Sequence, residues 1–117
     1  ASLGLDAASV LGARPDELSI GQGHRAALAL ALLASPEVLL VDEPAAALDD
    51  VTAALVWDRL RDEAHGRGHV VVVVDHDLDR VLQRCDRVVV LVHDDTTHRV
   101  SIGLDADASS VRAAIAR

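Results

Sequence analysis

Lysine, methionine, phenylalanine and tyrosine are absent from this sequence, which holds a single cysteine and a single aromatic residue, Trp57. The one cysteine, Cys85, excludes an internal disulfide and favours a reducing compartment. With one aromatic residue, a core must be built from the valine, leucine, isoleucine and alanine that dominate the 50% hydrophobic fraction. Because methionine is absent, translation did not start at Ala1, and we expect a processed product or a fragment of a longer protein.

Long apolar runs and an excess of basic residues are also missing. The longest apolar run covers nine residues, 26–34, well short of the ~18 to 20 that a membrane-spanning helix needs. No basic start followed by an apolar segment is present, so no signal peptide is predicted. A net charge of −8 argues against a general nucleic-acid surface, and no nucleic-acid partner is expected.

The hydrophobic pattern predicts strands that alternate with helices. Three β-branched runs are typical of strands buried on both faces of a parallel sheet: residues 38–41, 70–74 and 88–92. Helical patterns lie before and between these runs: residues 19–35, 50–65 and 78–85. Residues 99–103 fit an edge strand and 110–117 a final helix. The sequence therefore predicts one domain of the α/β class.

Two carboxylates follow the first predicted strand. Ligands bind at the carboxyl ends of strands in α/β sheets. There Asp42 is suited to hold Mg²⁺ through water, and Glu43 to polarise an attacking water. The alternative from these residues alone is a strand that ends in a solvated acidic turn.

The segment before the first long helix has the spacing of a capping box, with Ser19 at the N-cap and Gln22 at N3. The free N–H groups and the positive dipole end of such a helix form an anion site, and the small residues Ser19 and Gly21 let a phosphate approach. Taken alone, the pattern is equally that of an ordinary helix start.

Several segments, in order along the chain, resemble motifs of ABC-type ATPases. Residues 18–22, LSIGQ, resemble the LSGGQ signature, and residues 38–44, VLLVDEP, resemble Walker B. The signature serine lies 23 positions before the Walker B aspartate, which is the spacing of that family. Residues 45–49, AAALD, are similar to the D-loop, and residues 74–78, VDHDL, to the H-loop.

The resemblance implies a partial P-loop NTPase-like ABC ATPase core with a mostly parallel sheet and flanking helices. Residues 1–35 would be the end of the helical subdomain and the signature helix. Residues 36–117 would be the C-terminal part of the catalytic core.

The resemblance also implies roles for single residues. Asp42 would coordinate Mg²⁺ through water, Glu43 would be the general base for ATP hydrolysis, and His76 would be the switch histidine that contacts the γ-phosphate. The signature residues Ser19, Gly21 and Gln22 would contact ATP held by a second ABC domain. Asp49, in the D-loop, would couple the two sites of that head-to-tail dimer.

The sequence departs from the family pattern in the signature, the D-loop and the H-loop. Ile20 replaces a signature glycine, Leu30 a frequent arginine, Ala45 and Ala46 the usual Thr-Ser, and Asp75 a Thr or Ser. None of these changes removes the base, the Mg²⁺ ligand or the switch histidine, but together they predict slow hydrolysis.

No G-x-x-x-x-G-K-[ST] pattern occurs, so the backbone cradle and the lysine that grip the β- and γ-phosphates are missing from this sequence. We expect the chain by itself not to be a working ATPase. The P-loop strand would lie beside residues 38–41, so we also expect an unpaired apolar strand edge and an isolated chain that self-pairs or stays loose.

The function implied is that of an ATP-binding subunit or domain of an ABC transporter, with transmembrane subunits as partners and the cytoplasmic face of the membrane as location. Two alternatives remain open. One is an interaction module that completes a partner's ATP site without hydrolysing ATP itself. The other is an ABC ATPase of DNA repair, chromosome maintenance or translation.

Overall fold

The computed structural model describes the backbone of residues 3–94 and 99–104 and the side chains of residues 3–91. Its elements, in chain order, are α1 (Ala7–Leu11), a 3₁₀ turn (Pro15–Glu17), α2 (Ile20–Leu33), β1 (Val38–Asp42), α3 (Asp50–Arg67), β2 (Val70–Val74), α4 (Leu78–Arg84), β3 (Val89–Asp94) and β4 (Arg99–Leu104). The alternation of helices and strands confirms the predicted α/β class. The chain divides into two compact units, Ala1–His76 and Asp77–Arg117.

The first unit contains a parallel pair of strands, β1 and β2. The register pairs Val38 with Val70 and Asp42 with Val74, so both strands end at the same edge. The helix between them makes the crossover that parallel pairing requires. The residues that follow Asp42 and Val74 in the sequence therefore lie at the same edge of the strand pair.

Among the described residues, only one face of this strand pair is covered. On that face lies the hydrophobic core, which consists of Leu3, Leu28, Leu32, Leu39, Val56 and Leu60. The opposite face exposes Val38, Leu40, Val70, Val72 and Val74, with Leu40 74% exposed. The prediction that both faces are buried is wrong for the residues that the structure describes, because period-2 alternation places these side chains on the face opposite the helical core.

Helix α3 buries Ala53, Val56, Trp57 and Leu60 in the first unit. Trp57 is 3% exposed, as expected of a packing residue. The helix runs to Arg67, two residues beyond the predicted end. It stops where Gly68 adopts φ 71° and donates its N–H to the carbonyl of Glu63, a left-handed cap that glycine adopts without steric cost.

A buried carboxylate fixes the end of α3. Glu63 is fully buried and lies 2.8 Å from both Arg59 Nη2 and His69 Nδ1, with Arg67 Nε at 3.8 Å. Burial opposes ionisation, but the contacts with His69 and Arg59 outweigh it, and the pKa of the Glu63 carboxyl lies below its usual value.

The second unit contains α4 and an antiparallel pair in which β3 meets β4, with Val89 opposite Leu104. The run predicted at residues 88–92 therefore does not join the parallel pair in the described structure. Only four residues separate β3 from β4, which suits antiparallel pairing and is too short for a parallel crossover. The strand predicted at residues 99–103 is confirmed. The predicted helix at 110–117 lies outside the described residues.

Among the helices that the structure describes, none has the length and apolar composition needed to cross a membrane.

Candidate functional site

Three predicted site residues lie at or just beyond the carboxyl ends of β1 and β2. Asp42 is exposed at the last position of β1. The N–H of Glu43 donates to the carbonyl of Val74 at 2.8 Å, which extends the strand pairing by one residue. Glu43 Oε1 then lies 3.0 Å from His76 Nδ1. The parallel register thus joins two residues that are 33 positions apart in the sequence.

The carboxylate and the imidazole are both open to solvent. The side chain of Glu43 is 48% exposed and that of His76 is 83% exposed. Nδ1 donates to the carboxylate when it carries the proton, which leaves Nε2 for a second partner. A water molecule or a phosphate can therefore reach both groups from outside.

The backbone at Glu43 is held in an unusual conformation. Its φ of 45° lies in the left-handed region, which costs a residue with a Cβ about 1 to 2 kcal/mol. Such conformations cluster at functional sites. Here the conformation accompanies the hydrogen bond of Glu43 to Val74 and the turn of the carboxylate toward His76.

The donor set at this edge fits a magnesium ion held mainly by other ligands. Asp42 offers carboxylate oxygens, the hard donors that Mg²⁺ prefers, and Mg²⁺ is commonly bound by one or two carboxylates together with phosphates and water. Within the described residues, no group of three acidic, histidine or cysteine side chains is arranged as a complete metal site. Such an ion would take its remaining ligands from a nucleotide and from water.

A second group of predicted site residues lies at the start of α2. We call residues 19–22 the signature turn. The Ser19 hydroxyl accepts from the N–H of Gln22 at 3.2 Å, and Gln22 Oε1 accepts from the N–H of Ser19 at 2.9 Å. The predicted capping box is confirmed. Both residues are at least partly exposed, so the helix N-terminus remains accessible to an anion.

The signature turn packs against residues 45–49, which we call the D-loop. Gly21 is buried, and a Cβ at this position would lie 2.9 Å from Leu48 Cδ2 and 3.7 Å from the carbonyl oxygen of Ala47. The sequence suggested that glycine leaves room for a phosphate. In the structure, the position that a Cβ of residue 21 would take is filled by Leu48 of the same chain.

Asp49 ends the D-loop as the N-cap of α3. Its carboxylate accepts from the N–H of Thr52 at 3.0 Å and from the Thr52 hydroxyl at 2.7 Å. The hydrogen bond from the Thr52 backbone N–H has the largest effect and that from the Thr52 hydroxyl the next largest, and together they hold the pKa of Asp49 below its usual value. Asp49 is therefore ionised, and its position is fixed next to the residue that contacts Gly21.

Arg25 was not among the predicted site residues, although the structure makes it a contact of the signature turn. Its Nε donates to the carbonyl of Gly21 at 3.0 Å. The available signal was its position four residues after Gly21, on the same helix face.

Comparison with known proteins identifies the family. A family model described as "ABC transporter" matches residues 1–46. The phosphonates import ATP-binding protein PhnC of Caulobacter vibrioides is 46% identical over 78 residues, which is 67% of this chain and 30% of that protein. The aliphatic sulfonates import ATP-binding protein SsuB 1 of Nocardia farcinica is 46% identical over 77 residues, with 66% and 31% covered.

The fold of this chain is also similar to that of a solved structure. It is the dimeric structure of a post-hydrolysis state of the ATP-binding cassette MJ0796 bound to ADP and Pi. It is 36% identical, has a TM-score of 0.61, and is matched over 65% of this chain and 32% of that chain. The chain belongs to the ABC transporter ATP-binding family. The chain spans about a third of the length of these relatives.

ABC ATPases bind ATP with Mg²⁺ generally. The segments of this chain that resemble the family's motifs meet in two clusters of the first unit. One cluster is the Walker B and H-loop pair, Glu43 with His76. The other is the signature turn with the D-loop, joined through Gly21 and Leu48.

Proposed function

We propose that this chain is part of an ATP-binding subunit of an ABC transporter, in which the complete domain hydrolyses ATP and couples hydrolysis to membrane transport. The observation that carries the proposal is the contact of Glu43 Oε1 with His76 Nδ1 at 3.0 Å. It places a carboxylate and an imidazole together at the edge of the sheet where nucleotides bind in α/β proteins.

In this proposal Glu43 is the general base, and it accepts the proton of the water that attacks the γ-phosphate. His76 orients the carboxylate through Nδ1–H and, when Nε2 also carries a proton, donates Nε2–H to the γ-phosphate. Asp42 holds Mg²⁺ through water, and the ion supplies charge stabilisation for the transferred phosphoryl group. Most of the catalysis is positioning and electrostatics, which suits a site whose groups are already in contact.

The signature turn has a different role. Ser19, Gly21 and Gln22 lie in the first turn of a 14-residue helix or at its N-cap, where Ser19 is exposed and Gly21 is buried, and the helix dipole favours a phosphate group. We propose that they contact ATP held by a second ABC domain, and that Asp49 couples the two sites. Transmembrane subunits would be the further partners, at the cytoplasmic face of the membrane.

The second candidate is an interaction module that completes a partner's ATP site. It is favoured by one observation, that the signature turn is fully formed at the start of α2, where a phosphate group of a nucleotide held by another chain can be bound. Under this candidate the intact protein hydrolyses no ATP itself but raises the rate of a complete ABC partner.

The test compares ATP hydrolysis by the intact protein that contains this sequence with hydrolysis by its Glu43→Gln variant. We expect kcat to fall by about 10² to 10⁴ when the general base is lost, while nucleotide binding persists. Glu37→Gln is the matched control, because Glu37 is an exposed acid just before the other end of β1, and it should leave kcat unchanged.

A Glu43→Gln variant that retains kcat within about threefold would contradict the proposed role of the base. An intact protein that hydrolyses no ATP, yet accelerates an ABC partner, would support the interaction module instead.

A further inference from the structure

Arg25 lies at the junction of three segments of the first unit. On α2, its Nε donates to the carbonyl of Gly21 at 3.0 Å. Its Nη1 donates to the carbonyl of Gly4 at 3.0 Å and to that of Leu3 at 3.3 Å. One guanidinium therefore holds the first turn of the signature helix and a backbone segment 21 and 22 residues away.

The backbone segment at residues 3–4 is itself well anchored. Leu3 is 7% exposed and belongs to the hydrophobic core. Gly4 turns the chain with φ 62°, and a Cβ there would lie 3.4 Å from both Arg25 Nη1 and Leu55 Cδ1. The carbonyls that Arg25 binds are therefore fixed by burial on one side and by a glycine turn on the other.

Gly21 connects the same arginine to the D-loop. Its carbonyl accepts from Arg25, and its α-carbon is closely approached by Leu48, with 2.9 Å between the Cβ position and Leu48 Cδ2. Leu48 directly precedes Asp49, the N-cap of α3. A displacement of the first turn of α2 would therefore disturb both the hydrogen bond from Arg25 to Gly21 and the contact of Gly21 with Leu48.

We infer that Arg25 is a positioning residue that fixes the signature turn to the backbone of residues 3–4 and, through Gly21, against the D-loop. The guanidinium suits this task, because its planar fork binds several carbonyls in one fixed geometry, whereas a lysine ammonium acts as a single point charge. Arg25 acts through the signature turn, and the inference rests on the proposed function of that turn.

The experiment measures ATP hydrolysis, nucleotide affinity and thermal melting of the intact protein with Arg25→Ala and Arg25→Lys. For Arg25→Ala, which removes three hydrogen bonds from a charged donor, we expect kcat to fall at least about tenfold, with a lower melting temperature and with nucleotide affinity near that of the wild type. Arg25→Lys should show a smaller fall in kcat. Arg61→Ala, which removes an exposed arginine from α3, should change none of the three.

Arg25→Ala with unchanged melting and with kcat within about twofold of the wild type would overturn the inference. If the Arg25→Ala variant does not fold, the Arg25→Lys variant tests the inference instead. A folded lysine variant with reduced kcat supports a positioning role, whereas one with wild-type kcat, or one that also fails to fold, overturns it. Glu43→Gln in the same assay tests the proposed function separately, because loss of the base should lower kcat by about 10² to 10⁴ whatever Arg25 does.

Discussion

Replacing Gly21 by alanine probes the contact between the signature turn and the D-loop. An alanine Cβ would lie 2.9 Å from Leu48 Cδ2, closer than two carbon atoms approach without displacement. Gly23 lies on the same helix, and a Cβ there meets no atom within 4 Å. The pair Gly21→Ala and Gly23→Ala therefore differs mainly in the close approach of Leu48, since the Ala47 carbonyl oxygen lies at an ordinary contact distance of 3.7 Å from the Cβ position of residue 21.

The expected free energies follow from two opposing terms. Alanine in place of a helical glycine stabilises by about 0.5 to 1 kcal/mol, which should appear in full at Gly23. At Gly21, Leu48 must move or leave its rotamer, at a cost of about 0.5 to 1.5 kcal/mol. The two terms nearly cancel, so Gly21→Ala should leave the free energy of unfolding almost unchanged.

The assay is urea unfolding of the intact protein, with both alanine variants measured in the wild-type and in a Leu48→Ala background. Once the Leu48 side chain is shortened, Gly21→Ala should stabilise as much as Gly23→Ala does. The double-mutant cycle between positions 21 and 48 should give a coupling energy of about 1 kcal/mol.

Equal stabilisation by Gly21→Ala and Gly23→Ala in the wild-type background would refute this reasoning, as would a coupling energy near zero. Either result would mean that the signature turn and the D-loop do not pack as the structure places them.

Two further predictions concern stability. Glu63→Gln should lower the free energy of unfolding by about 2 to 4 kcal/mol at neutral pH, because it removes the charge that faces Arg59 and His69. The pKa of Glu63 is lowered on folding, so the contribution of its charge to stability is complete above the ordinary value of 4.5 and is lost as the pH falls through the folded value. Melting temperatures of the wild type and of Glu63→Gln should therefore converge in acid, and a difference that persists there would contradict this prediction. Ala47→Gly should be neutral or stabilise by up to about 1 kcal/mol, because φ is 59° at Ala47, whereas Ala46→Gly should destabilise; equal effects on the melting temperature would exclude strain at Ala47.

Local chemistry made much of this protein predictable. The capping box of Ser19 and Gln22 is a hydrogen-bond pattern between residues three apart, so spacing alone specifies it. The strands at 38–42 and 70–74 follow from β-branched runs, and their parallel pairing follows from the helix between them. The motifs that indicated the ABC family are also short, contiguous segments.

Contacts between distant residues were decided by the tertiary structure. Glu43 and His76 meet because the β1–β2 register brings two strand ends to one edge. Gly21 packs against Leu48, and Arg25 gained its two long-range partners only when residues 3–4 packed against α2.

The sequence by itself determined the order of helices and strands, their caps and the family motifs, because each depends on neighbours within a few residues. Only the tertiary structure decided that one face of the parallel pair is exposed, that β3 pairs with β4, and which side chains complete the two functional clusters. Those outcomes depend on which surfaces meet after loop closure, and no pattern within a single segment specifies them.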